Sequence, residues 1–135
     1  MIIWLASYPK SGNTWVRILI SSIIKFKEID PNNPFALTDK IESYPNIKHF
    51  SGLVKDIKNP GEIIQNWVNS QDKLNLEKKI KIFKTHNLLG SFGKYSFTNT
   101  NNTAGVIHIV REPRNIVSSL KNHFSLKDIY TAKKF

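Results

Sequence analysis

The sequence contains no cysteine. A disulfide framework and a thiolate metal site are therefore excluded, although this absence does not fix the cellular compartment. Long apolar runs are also missing: residues 18–24 are apolar and uncharged, whereas a bilayer span needs roughly 20 such residues. Residues 2–6 are too short for the apolar core of a secretory signal, and Pro9 and Lys10 interrupt the sequence soon after them. These features predict a cytoplasmic protein.

Acidic residues are scarce as well. The sequence has 10 Asp and Glu against 20 Lys and Arg, which gives a formal net charge of +10. Such an excess suits a polyanionic partner such as a nucleotide, a nucleic acid or a membrane surface. Lysine is abundant together with Ile and Asn, so much of this charge is expected to be solvated surface. Arginine is rare, and the closely spaced pair Arg111 and Arg114 is therefore more informative than the lysines.

The chain of 135 residues, 40% of them hydrophobic, suits one soluble domain over residues 1–135 with a modest core. Three short apolar or alternating stretches predict β-strands at residues 2–6, 78–83 and 105–110. Helical patterns begin at Thr14, Pro60 and Pro113, residues 126–135 also look helical, and residues 30–45 and 87–103 read as loops. Strands that alternate with helices predict an α/β fold with a mostly parallel sheet flanked by helices.

Each predicted strand leads into a polar loop. Because ligands of parallel sheets bind at the carboxyl ends of the strands, these loops are expected to share one site. The first loop reads Tyr-Pro-Lys-Ser-Gly-Asn-Thr-Trp over residues 8–15 and opens a helix, whose unpaired N–H groups favour an anion. Lys10 adds a full charge, and Ser11, Asn13 and Thr14 add short polar groups. The alternative is a plain loop with a solvated Lys10 and a helix cap at Asn13 or Thr14.

The other two loops carry a histidine and an arginine. His86 follows Lys84 and Thr85 after the second strand, and an imidazole with an ordinary pKa of about 6.5 suits a general base. The alternative is a structural histidine. Arg111 begins Arg-Glu-Pro-Arg at a strand-to-helix junction, where its planar fork of donors suits a phosphate. The alternative is a solvated turn with proline in the first turn of a helix.

These three segments resemble those of the sulfotransferases that use 3′-phosphoadenosine 5′-phosphosulfate (PAPS). The first loop closely resembles the family's 5′-phosphosulfate loop, with Asn13 where the usual form has Thr, and it lacks the Gly-x-x-x-x-Gly-Lys order of nucleotide hydrolases. Lys-Thr-His resembles the segment whose His takes the proton from the acceptor hydroxyl. The Arg111 segment resembles the 3′-phosphate segment, in which a Ser stands eight residues after the first Arg. That Ser is Ser119, and Ser118 is the competing choice.

The resemblance implies a P-loop-like, three-layer α/β/α architecture and transfer of the sulfonyl group from PAPS to a hydroxyl or amine acceptor. It implies Lys10 and His86 as catalytic residues, with PAPS as co-substrate and no metal. The residues it implies for PAPS binding are Lys10, Ser11, Gly12, Asn13, Thr14, Trp15, Arg111 and Ser119. The expected partners are this nucleotide and an unidentified acceptor, without nucleic acid. The later family segments Arg-Lys-Gly and Gly-Asp-Trp are not found, so the chain is expected to be an amino-terminal fragment.

Three alternatives stay open at this point. A P-loop-like small-molecule kinase would need Mg²⁺ and a carboxylate to hold it, and no Asp follows a predicted strand. A basic nucleic-acid-binding domain would show steeply salt-dependent binding. The chain could also bind the nucleotide without catalysing a reaction. Among the remaining residues, Trp67 and His108 are expected to be packed in the fold rather than functional.

Overall fold

The computed structural model describes residues 1–25, 29–128 and 131. The strands are β1 (Ile2–Ser7), β2 (Glu42–Ser43), β3 (Lys81–Thr85), β4 (Ser91–Phe92), β5 (Tyr95–Ser96) and β6 (Thr103–Ile109). The α-helices are α1 (Asn13–Lys25), α2 (Pro60–Gln65), α3 (Trp67–Asn75) and α4 (Pro113–His123). Two 3-10 helices, Pro34–Lys40 and Ile47–Phe50, lie on either side of β2.

β1 is an interior strand of a four-stranded sheet whose order is β2-β3-β1-β6. It pairs in parallel with β3 on one side and with β6 on the other, and β2 pairs in parallel with β3. In this register Trp4 is the partner of both Phe83 and Val106. Because the strands all run in one direction, their carboxyl ends meet at one edge of the sheet. β4 and β5 form a separate antiparallel pair.

The main apolar cluster is built around Trp4. This side chain is fully buried, and its ring centroid lies 5.3 Å from that of Tyr44 and 5.1 Å from that of Phe97. Its indole Nε1 donates to Thr103 Oγ1 over 3.0 Å, so the one polar atom of the ring is satisfied. The residues of α2 and α3 that pack on this cluster are Ile63, Trp67 and Leu74. The core role expected of Trp67 is therefore confirmed.

The predicted fold class is confirmed: the chain is α/β, with a parallel sheet flanked by helices. The three predicted strands and the helices that start near Thr14, Pro60 and Pro113 are present, with bounds shifted by a few residues. Most of the predicted helix over residues 126–135 lies outside the described residues. The two stretches predicted as loops contain short strands, β2 in one and the β4–β5 pair in the other.

His108 corrects the expectation of a packed histidine. It lies on β6, whose side chains are mostly exposed, and the residue itself is exposed. β6 is the last strand in the sheet order, with a neighbour on one side among the described strands. Alternation along a strand indicates which residues share a face, but it does not say whether that face is covered.

A buried histidine in the second 3-10 helix makes stability depend on pH. The side chain of His49 is 4% exposed. Its Nδ1 accepts a hydrogen bond from the Asn46 N–H over 3.2 Å, and its Nε2 lies 3.4 Å from Glu42 Oε2. Burial lowers the pKa of His49, and the hydrogen bond with Glu42 opposes this. The unfolded chain, with a histidine pKa of about 6.5, therefore binds the proton first on acidification. Protonation of Nδ1 would also remove the acceptor that Asn46 uses.

We expect the free energy of unfolding in urea to fall as the pH is lowered through about 6.5 towards the lower pKa of folded His49. In His49→Gln this part of the pH dependence should be lost, because glutamine does not titrate. His108→Gln, at an exposed position, is the matched control and should keep the wild-type dependence. Equal pH dependence in wild type and His49→Gln would contradict this assignment.

Candidate functional site

The loops that follow β1, β3 and β6 line one cavity of about 530 Å³ at the carboxyl edge of the sheet. The residues of the first loop and of α1 that line it are Pro9, Lys10, Gly12, Asn13, Thr14, Trp15 and Arg17. The other lining residues are Phe35, Lys84, His86, Arg111, Ser119, Leu120, His123 and Phe124. The predicted convergence of the three loops is therefore present. A larger cavity, of about 730 Å³, lies elsewhere, between Ser21 of α1 and Lys81 of β3, and none of the predicted site residues lines it.

The first loop turns sharply between β1 and α1. Lys10 has a φ of 65° and Gly12 a φ of 99°, both in the left-handed region, which glycine adopts at little conformational cost. The turn is closed by the Ser11 N–H, which donates to Tyr8 O over 3.3 Å, and helical bonding begins with the Val16 N–H to Gly12 O at 3.2 Å. The earlier N–H groups at this helix start have no acceptor inside the helix, so they can bind an anion.

Arg111 joins the third loop to the first. Its Nη1 donates to Lys10 O over 3.0 Å, across 101 residues of sequence. This bond leaves the other donors of the guanidinium available at the cavity. Arg114 points elsewhere: its Nε pairs with Glu112 Oε1 at 2.7 Å on the surface, and Arg114 does not line the cavity. The two arginines that the sequence places together therefore have different environments.

Ser118 and Ser119 on α4 are distinguished by their positions. Ser119 lines the cavity and is half-buried. Ser118 is exposed, and its hydroxyl donates to Arg114 O of the preceding turn over 3.1 Å. Of the two serines, Ser119, eight positions after Arg111, is therefore the one that lines the cavity.

Trp15 and Phe35 form an aromatic pair on one wall of the cavity. Trp15 is 57% exposed and Phe35 is 55% exposed, and their ring centroids lie 6.2 Å apart. Large aromatic rings exposed beside a cavity offer apolar surface to a ligand at low conformational cost. Phe35 belongs to the 3-10 helix Pro34–Lys40, within a stretch that the sequence predicted to be a loop.

Arg17 holds this 3-10 helix against α1. Its Nε donates to Ile41 O over 3.0 Å, and its Nη2 donates to Thr38 O. These carbonyls lie at the end of the short helix, where carbonyl groups lack partners inside the helix. Arg17 also lines the cavity, and burial lowers the pKa of its guanidinium. It thus positions the wall that carries Phe35 and adds a charge to the site.

His86 is oriented through one ring nitrogen. Its Nδ1 lies 2.8 Å from Ser7 O and 3.2 Å from Ser7 Oγ. A carbonyl oxygen only accepts, so Nδ1 carries the hydrogen in this arrangement and the neutral ring has Nε2 free to take a proton. Partial burial lowers the pKa of His86, the bond to Ser7 O opposes this, and the charges of Lys84 and Arg17 lower it further. His86 is therefore favoured in its neutral form near pH 7.

The cavity is strongly positive. Four basic side chains line it, namely Lys10, Arg17, Lys84 and Arg111, and the described lining residues include no Asp or Glu. Burial lowers the pKa of Lys84, and the charge of Arg17 adds to this. Within the described residues no group of three or more His, Cys, Asp or Glu is placed to hold a metal ion. This charge distribution suits an occupant with several negative charges.

Two residues of the predicted set, Ser11 and Asn13, are buried. Ser11 does not line the cavity. Asn13 lines it, but its side-chain Nδ2 donates away from the loop, to Leu5 O over 3.2 Å and to Ser7 Oγ over 3.0 Å. The backbone N–H of Asn13 can still contribute at the helix start, whereas the Ser11 N–H already donates to Tyr8 O.

Sequence reasoning did not single out Ser7, Arg17 or Phe35. Arg17 carried a signal, since it is one of three arginines and lies among the apolar positions of α1. Nothing in the sequence marks Ser7 or Phe35 as functional, because a serine at a strand end and a phenylalanine in a loop are common in proteins of any function. Their roles depend on distances that arise only when the loops fold together.

The site and the fold agree with a comparison against known families. The family model described as "Sulfotransferase domain" matches residues 2–134. The chain therefore belongs to the sulfotransferase domain family, which is a class of transferases. No curated protein and no solved structure gives a significant match. In the described part of the chain, no helix is both long and apolar enough to cross a membrane.

The positive neighbours of His86 give a direct test of the site's electrostatics. We expect Lys84→Met to raise the pKa of the His86 imidazole, because it removes a charge that disfavours the protonated ring. The pKa can be measured by NMR titration of the imidazole signals. Lys94→Met is the control, since Lys94 is exposed on the β4–β5 turn beside Tyr95. An unchanged His86 pKa in Lys84→Met would contradict this electrostatic coupling.

Proposed function

We propose that this protein transfers the sulfonyl group of PAPS to a hydroxyl or amine acceptor. The observation that carries the proposal is the meeting of three loops, with Lys10, His86 and Arg111, around one positive cavity. The family membership supports sulfotransferase chemistry in general, and the donor and acceptor belong to the proposal. A cytoplasmic location also remains a prediction.

In this proposal the first loop binds the 5′ end of PAPS. Lys10 and the N–H groups at the start of α1 stabilise the negative charge that builds up on the leaving 5′-phosphate. Such groups act best when they are already oriented before the reaction, because no reorganisation is then needed. The turn at Lys10 and Gly12 and the bond from Arg111 to Lys10 O support such an orientation.

Arg111 and Ser119 are assigned to the 3′-phosphate, and Trp15 to the adenine ring. A guanidinium forms paired, charge-assisted hydrogen bonds with phosphate oxygens, and a hydroxyl adds one more. These contacts would distinguish PAPS from ATP, which lacks the 3′-phosphate. The half-buried position of Ser119 beside the cavity supports the choice over Ser118.

His86 is assigned as the general base. In the reaction the acceptor oxygen or nitrogen forms a bond to sulfur, the bond from sulfur to the 5′-phosphate oxygen breaks, and the acceptor's proton passes to His86 Nε2. The lowered pKa of His86 keeps Nε2 unprotonated near pH 7. Lys84, which lines the same cavity, is assigned to stabilise charge on the moving group.

The described structure does not favour the alternatives. A kinase of the P-loop-like kind would hold Mg²⁺ through a carboxylate, and the described residues that line the cavity include no Asp or Glu. A nucleic-acid-binding domain would present an extended basic surface, whereas here four basic side chains meet in one cavity of about 530 Å³. We therefore retain one proposed function.

Kinetic measurements on two variants test the catalytic assignments. We expect His86→Ala to lower kcat by about 10²–10⁴-fold, the range typical of a lost general base. Lys10→Ala should lower kcat by about 10²-fold or more, because charge on the leaving phosphate loses its partner. His108→Ala and Lys94→Ala, both at exposed positions outside the cavity, are the matched controls. Near-normal turnover in His86→Ala or Lys10→Ala would count against these roles.

The serine pair tests the 3′-phosphate assignment. We expect Ser119→Ala to weaken binding of 3′-phosphoadenosine 5′-phosphate roughly tenfold or more, since a hydrogen bond to a charged group is lost. Ser118→Ala removes a hydroxyl one position away that bonds within its own helix, and it should leave the affinity unchanged. Displacement of a fluorescent nucleotide measures both. The opposite ranking of the two variants would assign the contact to Ser118.

A further inference from the structure

The short hairpin of β4 and β5 follows the loop that carries His86. Its two strands pair in antiparallel fashion, and Gly93, with a φ of 60°, is the first of the two residues that join them. Glycine is favoured at this position of a tight hairpin turn. At the base of the hairpin the Phe97 N–H donates to Gly90 O over 2.8 Å, and Phe97 is fully buried in the main apolar cluster. The hairpin is therefore anchored to the core at its base.

The two faces of the hairpin differ in chemistry. Ser91 lies opposite Ser96, and their hydroxyl oxygens are 3.0 Å apart. Phe92 lies opposite Tyr95 on the other face, since successive side chains of a strand point to opposite sides. Lys94 Nζ lies 5.3 Å from the centroid of the Tyr95 ring. One face is therefore polar, whereas the other combines two aromatic rings with an ammonium group.

Two leucines beside the hairpin add aliphatic surface. Leu88 is 83% exposed, Phe92 is 68% exposed, and Leu89 is exposed as well. A Cβ at Gly90 would lie 3.3 Å from Leu88 Cδ2, so the Leu88 side chain lies against the base of the hairpin. None of these three apolar residues belongs to an apolar cluster of the described residues. Large apolar side chains exposed close together mark a contact surface. We name as the hairpin patch the residues Leu88, Leu89, Phe92, Lys94 and Tyr95.

The sequence around the hairpin patch is basic throughout. Between Glu77 and Glu112 the chain has no acidic residue, but it has five lysines and Arg111. A basic surface attracts anionic lipid headgroups, aromatic rings favour the boundary between headgroups and acyl chains, and aliphatic side chains enter the apolar layer. A lysine can keep its ammonium at the headgroups while its alkyl stem lies along apolar surface. The hairpin patch therefore offers each kind of contact that a membrane surface needs.

We propose that the hairpin patch docks this protein onto membranes that contain anionic lipids, with Leu88 and Phe92 in the interfacial layer and Lys94 at the headgroups. The leucines favour this partner over a single-stranded nucleic acid, because aliphatic side chains do not stack on bases as aromatic rings do. The net charge of +10 favours it over a second copy of the chain, because two copies repel each other. Docking of this kind needs no membrane-spanning helix.

Co-sedimentation with lipid vesicles tests the partner and the apolar residues. Wild type should bind vesicles of phosphatidylcholine and phosphatidylglycerol in equal parts, and it should bind pure phosphatidylcholine about tenfold or more weakly. Leu88→Ser/Phe92→Ser should weaken binding to the mixed vesicles about tenfold or more, because two large apolar side chains no longer enter the interface. Ile47→Ser/Leu76→Ser is the matched control and should bind like wild type, since both residues are similarly exposed but lie outside the hairpin patch.

A lysine pair tests the electrostatic contact. Lys94→Gln should weaken binding to the mixed vesicles about fivefold, because a lysine close to an anionic surface contributes strongly. Lys58→Gln removes an exposed lysine just before α2 and should weaken binding less than about twofold, because attraction to the headgroups is screened with distance.

A fluorescent label shows whether the hairpin patch itself enters the lipid. Because the chain has no cysteine, a single introduced cysteine can be labelled selectively. Phe92→Cys carrying a nitrobenzoxadiazole dye should become brighter and shift to the blue on the mixed vesicles. Leu76→Cys carrying the same dye should show little change.

The outcomes decide between lipid docking and adsorption by charge alone. Equal binding of Leu88→Ser/Phe92→Ser and wild type, or an unchanged dye at residue 92 on bound protein, would overturn the proposal, because the net charge would then suffice. No binding of folded wild type to the mixed vesicles would overturn it as well. Binding to single-stranded DNA or dimer formation that is lost in Leu88→Ser/Phe92→Ser would then assign the hairpin patch to that partner. These assays need neither PAPS nor an acceptor, so failure of the proposed function would leave this inference standing.

Discussion

The site depends on the central place of β1 in the sheet. Because β1 is hydrogen-bonded to β3 on one side and to β6 on the other, its carboxyl end lies between theirs. The loop after β1 therefore receives His86 from one neighbour and Arg111 from the other. Ser7, the last residue of β1, contacts His86, and Lys10 accepts a hydrogen bond from Arg111 through its carbonyl. The three loops thus form one unit through contacts with a single strand end.

Charge and burial act together in this unit. Four basic side chains line the cavity, and the described lining residues include no carboxylate that would neutralise them. The site therefore favours binding of an anion with several negative charges. The same charges, with partial burial, lower the pKa values of Lys84 and His86. An anion bound there would oppose this effect by favouring the protonated forms. The pKa of His86 is therefore expected to rise when an anion occupies the cavity.

The fold and the motif residues were predictable because their signals are local. An apolar strand, a turn with Pro9 and Gly12 and a helical period specify the first unit, and parallel topology then brings the loops together.

The two-residue strands β2, β4 and β5 were missed because such short strands show no periodicity. Ser7, Arg17 and Phe35 were missed because their roles depend on contacts distant in sequence. The inward direction of the Asn13 amide depends likewise on β1 carbonyl and hydroxyl groups that only folding brings within reach.

The central claim is that one cavity binds a nucleotide with phosphates at both the 5′ and the 3′ position. Calorimetric titration of the protein with 3′-phosphoadenosine 5′-phosphate, and in parallel with adenosine 5′-phosphate and ATP, tests it most directly. The account predicts saturable binding of one equivalent, with a clear preference for the 3′-phosphorylated nucleotide that is reduced in Arg111→Ala. Equal affinity for all three nucleotides, or no binding by a protein shown to be folded, would contradict it.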